Sequence, residues 1–175
     1  MLKTYEYPEF DYVQPAEQAS GTPQRHPVVV VGAGPIGLTQ ALDLAHHGIP
    51  CVVVDDNNTV SIGSRAVCYA KRPLEVWDRL GVGDRMIDKG VVWKIGKVFR
   101  DTEQVYQFDL LPEEDHKVPA FINLQQYYLE EYLIDKAKTD YPDLIDLRWK
   151  NKVVSIKPEA DHVTLQVETP DGVYR

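Results

Sequence analysis

The run Gly32-Ala33-Gly34-Pro35-Ile36-Gly37, followed 23 positions after Gly32 by the carboxylate of Asp55, contains the residues of this chain whose types and spacing can do chemistry. A GxGxxG pattern means little by itself. Its weight comes from what surrounds it: a β-branched strand before it, a helix opening out of it, and an acid at the end of the next strand. In that setting each residue has a separate physical task. Gly32 permits a tight turn, Gly34 lets a pyrophosphate approach the backbone with no Cβ in the way, and Gly37 allows the helix to lie close to the sheet. Amides at the helix start, with the positive end of the dipole, hold phosphate oxygens. Pro35 fits the first helical turn, where its missing N–H costs little. Asp55 is suited to accept from ribose hydroxyls, and its charge disfavours a 2′-phosphate. The chemistry implied is capture of FAD or NAD, which the glycines alone do not distinguish. Asp56 is the competing acid; Asp55 is preferred because it directly ends a valine run.

The elements that must position these residues are legible on both sides. Val28 to Val31 reads as a strand buried on both faces of a parallel sheet. Pro35 to His47 carries Ile36, Leu38, Ala41, Leu42 and Ala45 at helical spacing, and Gly48 stops it. Cys51 to Val54 is a second buried strand, completing a βαβ unit whose crossover is right-handed. Farther on, Pro73 to Leu80 is predicted as a helix ending at Gly81. Trp93, Ile95 and Phe99, then Tyr106, Phe108 and Leu110 after a turn at residues 101–104, predict a hairpin. Phe121 to Leu124 is a short strand. Gln126 to Lys138 is a helix burying Leu129, Tyr132, Leu133 and Ala137, with Glu130, Glu131 and Asp135 outward. Three alternating strands follow, through Ile145, Leu147 and Trp149, through Val154 and Ile156, and through Val163, Leu165 and Val167. A fourth begins after the Pro170-Asp171-Gly172 turn, and ending inside a strand is the mark of a piece of something longer. The first 26 residues read as an arm without a core of its own, partly disordered, which Tyr5, Tyr7, Phe10 and Tyr12 could dock. Residues 27–175 form the domain.

The chain has 175 residues, 19 Lys and Arg against 27 Asp and Glu, and a net charge of -8. One domain fits that length. The acidic balance argues against nucleic acid or an anionic membrane surface as partner, and the local amides of a glycine turn explain how an acidic protein still binds an anion. No apolar stretch approaches the roughly 20 residues of a membrane span, and residues 1–26 contain no signal-peptide core. Cys51 and Cys68 show no CxxC spacing and read as reduced core residues of a cytoplasmic protein. His46 and His47 are adjacent on a helix and cannot chelate one metal together, so no metal site is expected.

Val28 to Leu38, reading VVVVGAGPIGL, with the helix and the strand ending in Asp55, resembles the single-component FAD-dependent aromatic hydroxylases of the p-hydroxybenzoate hydroxylase and phenol hydroxylase type. Gly63-Ser64-Arg65-Ala66 is similar to that family's Ser-Arg-Ala segment, whose arginine contacts FAD. Gln126-Tyr127-Tyr128-Leu129-Glu130 resembles its QxxLE segment, whose glutamine reaches the cofactor, with Gln125 the alternative if the register differs by one. The resemblance covers roughly residues 27 to 170. It implies an α/β fold: a Rossmann-like FAD-binding βαβ domain with a β-meander, truncated before the substrate domain. It implies cofactor contacts from Gly32, Ala33, Gly34, Pro35, Ile36, Gly37, Asp55, Arg65 and Gln126. The implied activity is hydroxylation of a small phenolic substrate with O2 and NADH or NADPH, and a homodimer is compatible with it. The family's later Asp-Gly and Gly-Asp motifs do not occur here, since Asp171-Gly172 has turn context. No catalytic residue is therefore named, and the chain alone is expected to be inactive. Two other classes compete: an NAD-binding dehydrogenase domain, which would bind NADH and show no flavin absorbance, and a non-catalytic nucleotide-binding module.

Overall fold

The computed structural model describes residues 5–63 and 65–175. In chain order the elements are α1 (Ala16–Ser20), β1 (Val29–Val31), α2 (Pro35–His46), β2 (Cys51–Val54), β3 (Cys68–Ala70), α3 (Lys71–Arg79), α4 (Gly83–Lys89), β4 (Val91–Trp93), β5 (Ile95–Arg100), β6 (Glu103–Asp109), β7 (Phe121–Asn123), α5 (Gln126–Asp140), β8 (Ile145–Arg148), β9 (Lys152–Pro158), β10 (Val163–Thr169) and β11 (Gly172–Tyr174). They divide into two units, residues 1–62 with 133–175, and residues 63–132.

In the first unit, β1, β2 and β8 form a parallel sheet with β2 in the middle. All four residues of β2 are buried, as expected for a β-branched run covered on both faces. β1 is different. Val31 is 55% exposed, because its face of the sheet opens onto a groove that Val29 also lines. The expectation that Val28 to Val31 is buried on both faces is corrected accordingly. α2 packs on β1, β2 and β8 through Leu38, Ala41, Leu42 and Ala45. Its C-terminus closes with Gly48 at φ +73°, whose N–H donates to Ala45 O at 2.9 Å while Ile49 N–H donates to Leu44 O. This is the glycine stop read from the sequence.

The closing strands split between two sheets. The strand of Ile145 and Leu147 leaves the meander and pairs parallel with β2; the meander proper is β9, β10 and β11, antiparallel in that order. Long-range pairing to the fully buried β2 decides this, and alternation along the chain carries no such information. The arm lies against this unit: Phe10 stacks on Trp149, and the Tyr12 hydroxyl bonds Gln18, Thr169 and Asp171.

The second unit holds a three-stranded antiparallel sheet, β3-β7-β4, and the hairpin of β5 and β6. Leu74, Met86, Ile122, Leu124 and Leu129 are its most buried side chains. Two expectations change here. Glu130, expected outward on α5, is 2% exposed, its Oε1 accepting from Gln126 Nε2 one turn back at 2.8 Å. Cys68, expected in the core, is exposed, because it takes an outward position of β3 and donates from Sγ to Asn123 Oδ1.

Candidate functional site

β1 ends at Val31 and the ladder continues one residue into the turn, Gly32 N–H donating to Val54 O at 2.8 Å. Gly32 then takes φ +100°, a conformation open to glycine and costly for any other residue. Gly34 caps α2 in extended conformation, φ -82° and ψ -176°, with Pro35 in the first turn. That backbone is open to any residue. Gly37 is the tightest point. A Cβ there would lie 1.9 Å from Gly32 O and 3.2 Å from Val30 Cγ1, so the absent side chain is what lets α2 start against the end of β1.

Because β1 and β2 are parallel neighbours in register Val31↔Val54, the residue after β2 emerges beside the glycine turn. That residue is Asp55. Its Oδ2 accepts from Ala33 N–H at 2.6 Å, and its Oδ1 accepts from Asn57 N–H at 2.8 Å. A carboxylate has about four lone-pair positions, so two remain for a ligand, one on each oxygen. Asp56, the competing acid, is exposed, its Oδ1 accepting from Asn57 Nδ2. At the helix start the amides of Ile36 and Gly37 have no carbonyl one turn back, and the dipole adds partial positive charge there. The turn and the acid are thus one constellation, with donors for a diphosphate and acceptors for a diol.

Arg65 and Gln126 belong to the second unit. Arg65 is exposed in the loop before β3, and Ser64 of the same segment lies outside the described residues. Gln126 opens α5 and binds Glu130. Nearby, burial pushes the Tyr69 hydroxyl up to about 12, with the Glu130 and Cys68 charges adding to it.

Sequence reasoning missed a buried polar cluster in the first unit. Glu17, 3% exposed, is bonded by His26 Nε2 at 2.5 Å and by Arg148 Nη1 at 3.0 Å. Arg148 also pairs with Asp146 at 2.7 Å, and Tyr174 OH donates to Asn151 Oδ1. Burial pushes the Glu17 carboxyl up, but hydrogen bonds from the backbone, His26 and Arg148 outweigh it and hold the group below its usual range. The pairing spans residues far apart in the chain, and no local pattern announces it. Glu17, His26, Arg148 and Tyr174 border a groove of about 1130 Å³ over Val29, Val31 and Val52. Among the described residues no group of three or more His, Cys, Asp or Glu is placed to hold a metal, and no helix is long and apolar enough to cross a membrane.

The family described as FAD binding domain matches residues 25–173. Among curated relatives, para-nitrophenol 4-monooxygenase of Pseudomonas sp. (strain WBC-3) is 29% identical over 151 residues, covering 85% of this chain and 37% of the relative. The 6-hydroxy-3-succinoylpyridine 3-monooxygenase HspB of Pseudomonas putida (strain DSM 28022 / S16) is 31% identical over 151 residues, covering 82% and 37%. The chain therefore spans little more than a third of the length of these relatives. Among solved structures, p-nitrophenol 4-monooxygenase PnpA from Pseudomonas putida DLL-E4 superposes with a TM-score of 0.76 at 28% identity, over 85% of this chain and 38% of that one. Aklavinone-11 hydroxylase, solved in a ternary complex with FAD and aklavinone, shares the fold at 22% identity, with a TM-score of 0.68 over 87% and 31%. The matched span takes in the glycine turn and the acid beside it together with Arg65 and Gln126, and the chain belongs to the FAD binding domain family.

Proposed function

We propose that this chain holds the adenosine diphosphate half of FAD at the turn of residues 32–37. In this reading the amides of Ile36 and Gly37 at the start of α2 carry the pyrophosphate, and the two open acceptor positions of Asp55 take the ribose hydroxyls. One observation carries the reading: Asp55 Oδ2 lies 2.6 Å from Ala33 N, so the acid and the phosphate turn face one ligand. A further point supports it: Asp55 retains the acceptors a cis-diol needs. Arg65 and Gln126 are assigned to the same cofactor on the resemblance of their segments.

The whole protein is proposed to be a monooxygenase that hydroxylates a small phenolic compound in the cytoplasm, with O2 and NADH or NADPH as co-substrates. Similarity to relatives named as monooxygenases of p-nitrophenol and of a hydroxypyridine supports this class. When bound, FAD supplies the redox chemistry; the residues described here bind and orient its nucleotide end. No catalytic side chain is assigned among them. Quenching of flavin fluorescence on titration of FAD with the purified chain tests the site, with ADP as competitor. Saturable quenching reversed by ADP is expected, and the absence of both overturns the assignment.

A further inference from the structure

The loop after Asp55 is held at its near end by β8 and the turn that follows it. Asp55 N–H donates to Arg148 O at 3.0 Å, Asn151 N–H to Asp55 O at 2.7 Å, and Lys150 N–H to Asn57 O at 3.0 Å. The far end of the loop is tied by the arm, where Phe10 N–H donates to Asn58 O at 2.8 Å. The Phe10 ring stacks on Trp149 of the same turn, centroids 4.5 Å apart and planes 19° from parallel, and Trp149 is 5% exposed. The Lys138 ammonium stands 4.2 Å from the Phe10 centroid on the other side. One aromatic residue of the arm therefore closes over both segments that fix the acid. The family match begins at residue 25, after Phe10.

We propose that Phe10 is a positioning residue for the nucleotide site, clamping the 55–58 loop against the 148–151 turn so that the Asp55 carboxylate stays aimed at the ribose. The proposal rests on the reading of Asp55 as the ribose ligand. Its reach is selective: loosening the clamp frees the carboxylate and leaves the glycine turn, which α2 and β1 hold, as it is. Loss of the clamp should therefore weaken binding of a nucleotide with ribose hydroxyls and spare one without them.

The test compares ADP with 2′,3′-dideoxyadenosine diphosphate by calorimetry on the 175-residue chain. The wild type should prefer ADP by about tenfold or more, the scale of hydrogen bonds to a charged acceptor. Phe10→Ala should cut that preference about fivefold, the order expected for a lost aromatic pair, with the dideoxy affinity unchanged. Phe10→Tyr should restore it. Lys138→Gln, an exposed substitution that keeps the fold, should lower the preference about twofold in the same direction, and it decides the matter if Phe10→Ala fails to fold. A preference kept intact in these variants, or both affinities falling together, overturns the clamp and leaves the site standing. A wild type that does not distinguish the two nucleotides overturns the ribose assignment and the clamp with it.

Discussion

Replacing Gly37 by alanine adds one methyl group at the narrowest place in the first unit. Its carbon would stand 1.9 Å from the Gly32 carbonyl oxygen, where a carbon–oxygen contact ordinarily needs about 3.3 Å. The obstacle is backbone on both sides, so no rotamer change relieves it, and α2 must retreat from β1 by more than an ångström. That retreat pulls Leu38, Ala41 and Leu42, all fully buried, out of contact with the sheet. Overpacking of this kind costs about 1–3 kcal/mol, and the voids opened beneath the leucines add to it, so we expect a loss of about 3 kcal/mol. Urea unfolding followed by tryptophan fluorescence reads it directly, since Trp149 sits in the same unit; with a slope of about 2 kcal/mol/M the midpoint falls by about 1.5 M. FAD affinity should drop in parallel, because the helix start moves with the helix. Gly32→Ala is the contrast: its Cβ meets no atom within 4 Å, so only the strain of φ +100° counts, about 2 kcal/mol. A Gly37→Ala protein within about 0.5 kcal/mol of wild type, with unchanged affinity, would refute the close-approach reasoning.

Asp55→Ala should weaken ADP binding by about 1.5–3 kcal/mol, while Asp56→Ala stays within about 0.5 kcal/mol; calorimetry on both variants checks the register. The depressed Glu17 carboxyl contributes stability that is present above its unfolded value of 4.5 and is lost as pH falls through its lower folded value. Glu17→Gln should therefore cost about 3 kcal/mol at neutral pH by leaving Arg148 underpaired, and thermal melts below pH 4 should bring variant and wild type closer together. The Tyr69 hydroxyl is buried with no hydrogen-bond partner among the described residues, so Tyr69→Phe should raise stability by about 1 kcal/mol. The wild type should also lose stability between pH 10 and 12, as the unfolded chain ionises first, and the variant should show a shallower loss in an alkaline urea series.

What the sequence revealed follows from where the physics is local. The glycine turn, the helix after it and the Gly48 stop each depend on residues within a few positions of one another, and each is present at the expected place, as is the β5–β6 hairpin except that Trp93, expected in it, stands in β4 and pairs with β7. That Asp55 lies beside the glycine turn was legible because a parallel βαβ unit leaves the two strand ends side by side; its hydrogen bond from Ala33 N–H was not. Other features are settled at long range. β8 looks like its meander neighbours in alternation, and its choice of β2 as partner is a property of the assembled sheet. Strands of three residues, such as β3 and β4, are too short to show a period of two. Glu130 reads as outward by charge, yet Gln126 gives it a partner one turn back and it stays inside. Glu17 pairs with Arg148 across 131 positions, beyond any window a local pattern can scan.

The two thiols have opposite fates. Cys51 is sealed in the parallel sheet and Cys68 faces solvent, with its sulfur and the Trp93 indole N–H sharing the Asn123 carbonyl oxygen as acceptor. A maleimide dye added to the native chain will therefore attach at residue 68 alone, close enough to quench or be excited by that indole. The second unit thus comes with its own reporter position, and its motions can be followed by fluorescence with no residue altered.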